Sequence, residues 1–274
     1  MLHQELQSFH QFRLQLLVAD AHQKKIIPLP DSVYEIDTNN VLQGFKSDFL
    51  NNPDSEIYKD KLTDCNSIII PARVTSIADN AFYDNPQSGP PSSKIPSFIA
   101  KLTFADGSNC STIGRYSFSR SSLTSATLPD SLTTISNFAF FTCEELTSVK
   151  FSSSLQSIGQ YALCVCNLTS LDLSKCINLT SIGSHSFEAS MSLHSVTFPG
   201  SLQSIGEFAF MSCSSLEEII WNNLNSAPTI EANAAFYDVA NTGHVKSTGS
   251  YTSSELLSLL KENGLPDGWE VAKD

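Results

Sequence analysis

LHSVTFPGSLQSIGEFAFMSC, residues 193–213, decides the fold. Its first part, L-x-x-V-x-F, alternates around β-favouring residues as a short strand does. Pro199 and Gly200 then turn the chain. A second short segment centres on Ile205, and Ala209-Phe210 closes the unit with an apolar pair. This stretch alone cannot bury Val196, Phe198, Ile205 and Phe210, so it needs neighbours built on the same plan.

The neighbours are present on both sides. LTSATLPDSLTTISNFAFFTCEE (123–145), LTSVKFSSSLQSIGQYALCVCN (146–167) and LTSLDLSKCINLTSIGSHSFEASMS (168–192) precede it. The leading residues Leu123, Leu146, Leu168, Leu193 and Leu216 are spaced 23, 22, 25 and 23 apart. Fixed-period self-similarity of this kind marks a repeat solenoid. SIIIPARVTSIADNAF (67–82) and IAKLTFADGSNCSTIGRYSF (99–118) match upstream, and LEEIIWNNLNSAPTIEANAAF (216–236) matches downstream. IIPLPDSVYEIDTNNV (26–41) is a fainter copy in which Ile36 takes the place of Ile135. Eight units result, with a Pro-, Gly- and Ser-rich insertion at 86–97.

In register, Ile113, Ile135, Ile158, Ile182 and Ile205 form one column. Phe82, Phe118, Phe140, Phe187, Phe210 and Phe236 form another, with Leu163 in the same slot. The Gly or Ser after each Ile permits a tight bend. Val149 with Phe151, Leu171 with Leu173, and Val196 with Phe198 are expected to point inward.

These motifs resemble the BspA-like leucine-rich repeats, also called the Treponema pallidum type. Their hallmark reads L-x-S-[IV]-x-[FL]-P-x-S-[LV]-x-S-I-G-x-x-A-F-x-x-C, and the resemblance runs from about residue 65 to 240. It implies an α/β leucine-rich-repeat solenoid, a right-handed superhelix with parallel short strands on one face. It also implies a role in adhesion or protein–protein recognition, often at a bacterial or protist cell surface, with a host or matrix protein as partner. An intracellular scaffold of the same fold is the alternative, and an enzyme with an unrecognised site a remote one.

The ends read differently from the middle. Leu2, Leu6, Phe9, Phe12, Leu16 and Leu17 make one face of a short helix within an N-terminal extension or cap, 1–25. The repeats occupy 26–240, and 241–274 is a capping segment. There Thr252 and Glu255 form a capping box before Leu256, Leu257, Leu259 and Leu260, so 253–263 is expected to be helical and to cover the last repeat.

Composition narrows the partners. The net charge is −12 and only 16% of residues are charged, while 43 serines keep the surface polar. Phosphate backbones and anionic membranes select clustered Lys and Arg, so neither nucleic acid nor a membrane surface is expected as partner. No apolar stretch approaches a membrane span, and residues 1–23 lack the basic start and apolar run of a signal peptide. No phosphate loop, nucleophile elbow or H-E-x-x-H motif occurs, so no enzyme, metal or cofactor is expected.

Of seven cysteines, Cys143, Cys166 and Cys213 share a repeat position that Ser121 and Ser190 fill elsewhere. Such a slot wants a small, mildly polar, buried side chain. Stacked neighbours such as Cys143 and Cys166 are candidates for disulfide reach. His185 and His194, at variable repeat positions, read as exposed imidazoles.

The candidate partner surface is the strand face, where a solenoid gathers one column of side chains from every repeat. The third and fifth positions of L-x-x-V-x-F face solvent. They are Lys101, Thr103, Ser125, Thr127, Ser148, Lys150, Ser170, Asp172, Ser195, Thr197, Glu218 and Ile220. The insertion 86–97 is the rival site.

Overall fold

The computed structural model describes residues 33–46, 67–84, 92–95, 99–231 and 234–273. The helix expected within 1–25 lies outside the described residues, as does most of the 86–97 insertion. The rest is a parallel solenoid of about seven turns.

The described chain starts as a hairpin, β1 (Tyr34–Ile36) and β2 (Val41–Phe45). The Asp37 side chain reverses it by accepting hydrogen bonds from the Asn39 and Val41 amides at 2.8 and 3.0 Å. This hairpin corrects the alignment of the first unit. Leu42, not Ile36, occupies the isoleucine column and pairs with Ile77. Phe45 stands in the phenylalanine column, its ring 4.9 Å from that of Phe82.

Each later turn carries a longer strand and a two-residue strand. The longer strands are β3 (Ser67–Ile70), β7 (Lys101–Phe104), β9 (Ser125–Thr127), β11 (Ser148–Lys150), β13 (Ser170–Asp172), β15 (Ser195–Phe198) and β17 (Glu218–Trp221). The two-residue strands are β4 (Ser76–Ile77), β8 (Thr112–Ile113), β10 (Thr134–Ile135), β12 (Ser157–Ile158), β14 (Ser181–Ile182), β16 (Ser204–Ile205) and β18 (Thr229–Ile230). They stack in parallel register, Ile on Ile, as a continuous nine-stranded sheet that includes β1 and β2. The strands thus line two sides of the solenoid rather than one. β5 (Tyr83–Asp84) and β6 (Ser92–Ser93) form a small antiparallel pair at the insertion.

The third side is the A-F turn, which is also bonded from coil to coil. The amides of Phe138, Phe140 and Thr142 donate to the carbonyls of Gln160, Ala162 and Cys164 at 2.8–2.9 Å. In each of the five A-F turns from Tyr116 to Ser212, two residues adopt a left-handed backbone, among them Phe138 (φ 60) and Thr142 (φ 57). That geometry costs about 1–2 kcal/mol for a residue with a Cβ, so the packing it permits must offset the strain. Where glycine follows the isoleucine, it serves a different need from the one expected. Gly206 has no positive φ; a Cβ there would lie 2.3 Å from the Ser184 nitrogen, so the coils approach too closely at this point for a side chain.

The core runs the length of the solenoid. Phe210 is 0% exposed and Ile158 1%. Phe82, Phe118 and Phe140 stack at 5.2 Å, as do Phe187, Phe210 and Phe236. Leu163 separates the two stacks.

The C-terminal end closes with β19 (Thr242–Ser247), helix α1 (Ser253–Glu262) and β20 (Gly268–Val271). Thr252 caps α1 through the full capping box, and Leu256 and Leu260 are buried. β19 and β20 add to the strand side in parallel with β17, an extension the sequence reading did not include.

Candidate functional site

The outward columns of the strand face are where alternation places them. Thr127, Ser148, Lys150, Ser170, Asp172 and Glu218 are exposed. Lys101, Thr103, Ser125, Ser195, Thr197 and Ile220 are half-buried. Between them the inward residues Leu102, Ala126, Leu171, Val196 and Ile219 are buried.

The twelve residues lie on two sheets rather than one. β3, β7, β9 and β11 form a four-stranded sheet; β13, β15, β17, β19 and β20 form a five-stranded one. At the boundary the Thr169 amide still donates to the Thr147 carbonyl at 3.3 Å, but no ladder pairs β11 with β13. Val149 and Phe151 point inward as expected and pack on the core, yet both are partly exposed. The unit lengths change here. The turn Cys166-Asn167-Leu168 is one residue shorter than Cys143-Glu144-Glu145-Leu146. After β13 the Asp172 side chain accepts from the Ser174 amide at 2.9 Å, bending the chain into a longer arc.

The two sheets differ in charge. Lys101 and Lys150 are the charged members of the outward columns on the first. On the second, register lines up Ser195, Glu218, His244 and Glu270 across four strands, beside Asp172 and Lys246. Glu217, Glu218 and Glu270 with His194 and His244 line a cleft of about 680 Å³ at the strand starts. His244, Lys246 and Glu270 were missed because β19 and β20 lack the repeat hallmark. The period-2 pattern of T-G-H-V-K-S was the signal available.

The other titratable clusters serve packing. His185 is not the exposed imidazole expected. It stacks on Tyr161 at 4.4 Å and pairs through Nδ1 with Glu188 at 2.7 Å. It belongs to a half-buried surface ladder in which Tyr116, Phe138, Tyr161, His185 and Phe208 follow at 4.4–5.2 Å. Arg115 lies over Tyr116 and Phe138, 5.1 and 5.5 Å from the ring centres. Cys143, Cys166 and Cys213 donate their thiols to the carbonyls of Phe118, Phe140 and Phe187 at 3.1–3.3 Å. Burial pushes Cys143 up to about 11 and Cys213 to about 12, and burial followed by the Glu188 charge pushes Cys164 to about 12. Thiols this weakly acidic stay protonated at neutral pH, and the thiolate is the nucleophile. Among the described residues no group of three or more His, Cys, Asp or Glu is placed to hold a metal ion, and no helix is long and apolar enough to cross a membrane.

A parallel solenoid with one apolar column per repeat position defines the class as leucine-rich-repeat proteins. The chain belongs to the BspA-type leucine rich repeat family, which matches residues 54–103 and 111–243 in six copies. The crystal structure of a T. pallidum leucine-rich repeat protein is similar in fold, with TM-score 0.56 and 19% identity over 90% of this chain and 100% of that one. A Bacteroides ovatus leucine-rich repeat protein aligns with TM-score 0.39 and 14% identity, over 93% of this chain and 94% of that one. A leucine rich cell surface protein from Faecalibacterium prausnitzii gives 0.32 and 16%, over 91% and 96%. No curated protein matches in sequence.

Proposed function

We propose that this chain is a non-enzymatic recognition module that binds another protein through its strand face, in the setting of cell-surface adhesion. The observation that carries the reading is the pair of outward columns, whose Thr127, Ser148, Lys150, Ser170, Asp172, Glu218, His244 and Glu270 are exposed while Ser195, Thr197 and Ile220 between them are half-buried. A solenoid offers such columns as one extended surface. Small hydroxylated side chains between separated basic and acidic ends favour adaptable hydrogen bonding and electrostatic orientation of the partner over a single aromatic anchor.

The test is a photo-crosslinking residue placed at Ser148 or Ser170, and in separate proteins at Ser157 or Ser181 on the opposite side. Each protein is incubated with a panel of host matrix proteins. Adducts from the first two positions alone support the strand face. The double substitution Lys150→Glu with Asp172→Lys should then weaken capture of the same protein. Unchanged capture, with loss on deleting residues 86–97, would move the site to the insertion.

A further inference from the structure

We infer that, along the described coils from β3 to β18, the solenoid flexes at one place, between β11 and β13, opening on the strand face while the isoleucine and A-F sides act as the hinge. At the interfaces on either side, three sets of contacts hold one coil to the next. β9 pairs with β11 and β13 with β15 in register on the strand side. β10 pairs with β12 and β14 with β16 on the isoleucine side. The A-F turns bond along the third.

Between the coils at 146–167 and 168–192 the first set is missing. β12 still pairs with β14. The amides of Tyr161, Leu163 and Val165 still donate to the carbonyls of Ser184, Ser186 and Glu188 at 2.8–3.0 Å. The strand side keeps the single 3.3 Å bond from Thr169 to Thr147.

Two further observations fall on the same coil. Leu163 replaces the phenylalanine, so the rings of Phe140 and Phe187 do not stack through it. Val149 and Phe151 stay partly exposed, whereas their counterparts Val196 and Phe198 are fully buried. An interface bonded on two sides out of three resists shear along those sides but not rotation about them. Backbone bonds and buried contacts set local opening free energies, and both are depleted here. The solenoid is therefore two stiff blocks, one ending in β11 and one starting with β13. On the recognition reading above, their angle sets the distance between the basic and acidic halves of the face.

Double electron–electron resonance on spin-labelled protein, without partner, tests the hinge separately from that reading. Ser148→Cys with His244→Cys spans four coil steps across the break; Ser170→Cys with Glu270→Cys spans four steps within one block. Both pairs lie about 19 Å apart at ordinary strand spacing. A Cys65→Ser background is used, the six described cysteines being buried. The expected result is a distance distribution about twofold broader for the first pair, with the same melting temperature for both proteins. Equal widths overturn the hinge. So does a longer but equally narrow distance across the break, which means a fixed splay.

Discussion

The isoleucine side and the strand side are built from the same units, yet one is continuous and the other divides. On the isoleucine side nine strands pair without interruption. On the strand side the ladder stops between β11 and β13. The difference shows where a solenoid absorbs changes in repeat length. Two-residue strands ask only that one Ile sit over the next, so a shorter turn or longer arc elsewhere leaves them in place. A three- or four-residue strand must keep register along its whole length, and it loses the ladder when a short turn feeds a long arc.

The largest effect expected is loss of a ring from the closed part of the core. Phe210 packs against Phe187 and Phe236 and is fully buried. Phe210→Ala should cost about 3–5 kcal/mol in urea unfolding, through lost transfer energy and the cavity left behind. The comparison between sides sharpens at two equivalent valines. Val196 is 0% exposed, while Val149 at the break is partly exposed. Val196→Ala should cost about 2–3 kcal/mol and Val149→Ala about half of that. Equal costs would mean that the break does not loosen the core.

How far the fold was legible follows from these features. The Ile, Phe and leading Leu columns could be read because they recur in phase, and repetition averages out local ambiguity. Helix α1 could be read because Thr252 and Glu255 mark its start chemically. The isoleucine ladder could not be recognised as a sheet, since two residues carry no alternation. The hairpin at β1 and β2 was missed because its turn depends on one Asp37 side chain. The outward columns of the candidate face followed from alternation, but the split in that face did not. Pairing depends on how two unit lengths combine in space, and neither length alone foretells it. The aromatic ladder through His185 was hidden at positions that look variable, where Tyr, Phe and His substitute for one another.

A smaller effect tests the column that seals the turns. Cys143, Cys166 and Cys213 each reach a carbonyl of the preceding coil, but the Ser190 hydroxyl in the same slot is buried without a partner. An unsatisfied buried hydroxyl costs about 1–3 kcal/mol, and the longer thiol should bridge the gap. Ser190→Cys should therefore stabilise by about 1 kcal/mol. A destabilised variant would show that sulfur reach is not what the slot selects.

The smallest effect lies at the cap. Thr252 donates to Glu255 from its amide at 2.8 Å and from its hydroxyl at 2.7 Å. These bonds favour the charged carboxylate and hold it below its ordinary value of 4.5. The folded-state value is depressed, so the contribution is present above the unfolded value and disappears as pH falls through the folded one. Losing the threonine hydroxyl by Thr252→Ala should cost about 1 kcal/mol at pH 7. Glu255→Gln probes the charge alone, because glutamine keeps an acceptor for the same bonds. Its melting temperature should fall slightly below that of the parent protein at pH 7. The gap should close as pH falls through the lowered folded-state value, where the glutamate of the parent becomes protonated. A gap that persists unchanged into acid would show that shape, rather than charge, is what Glu255 brings to the capping box.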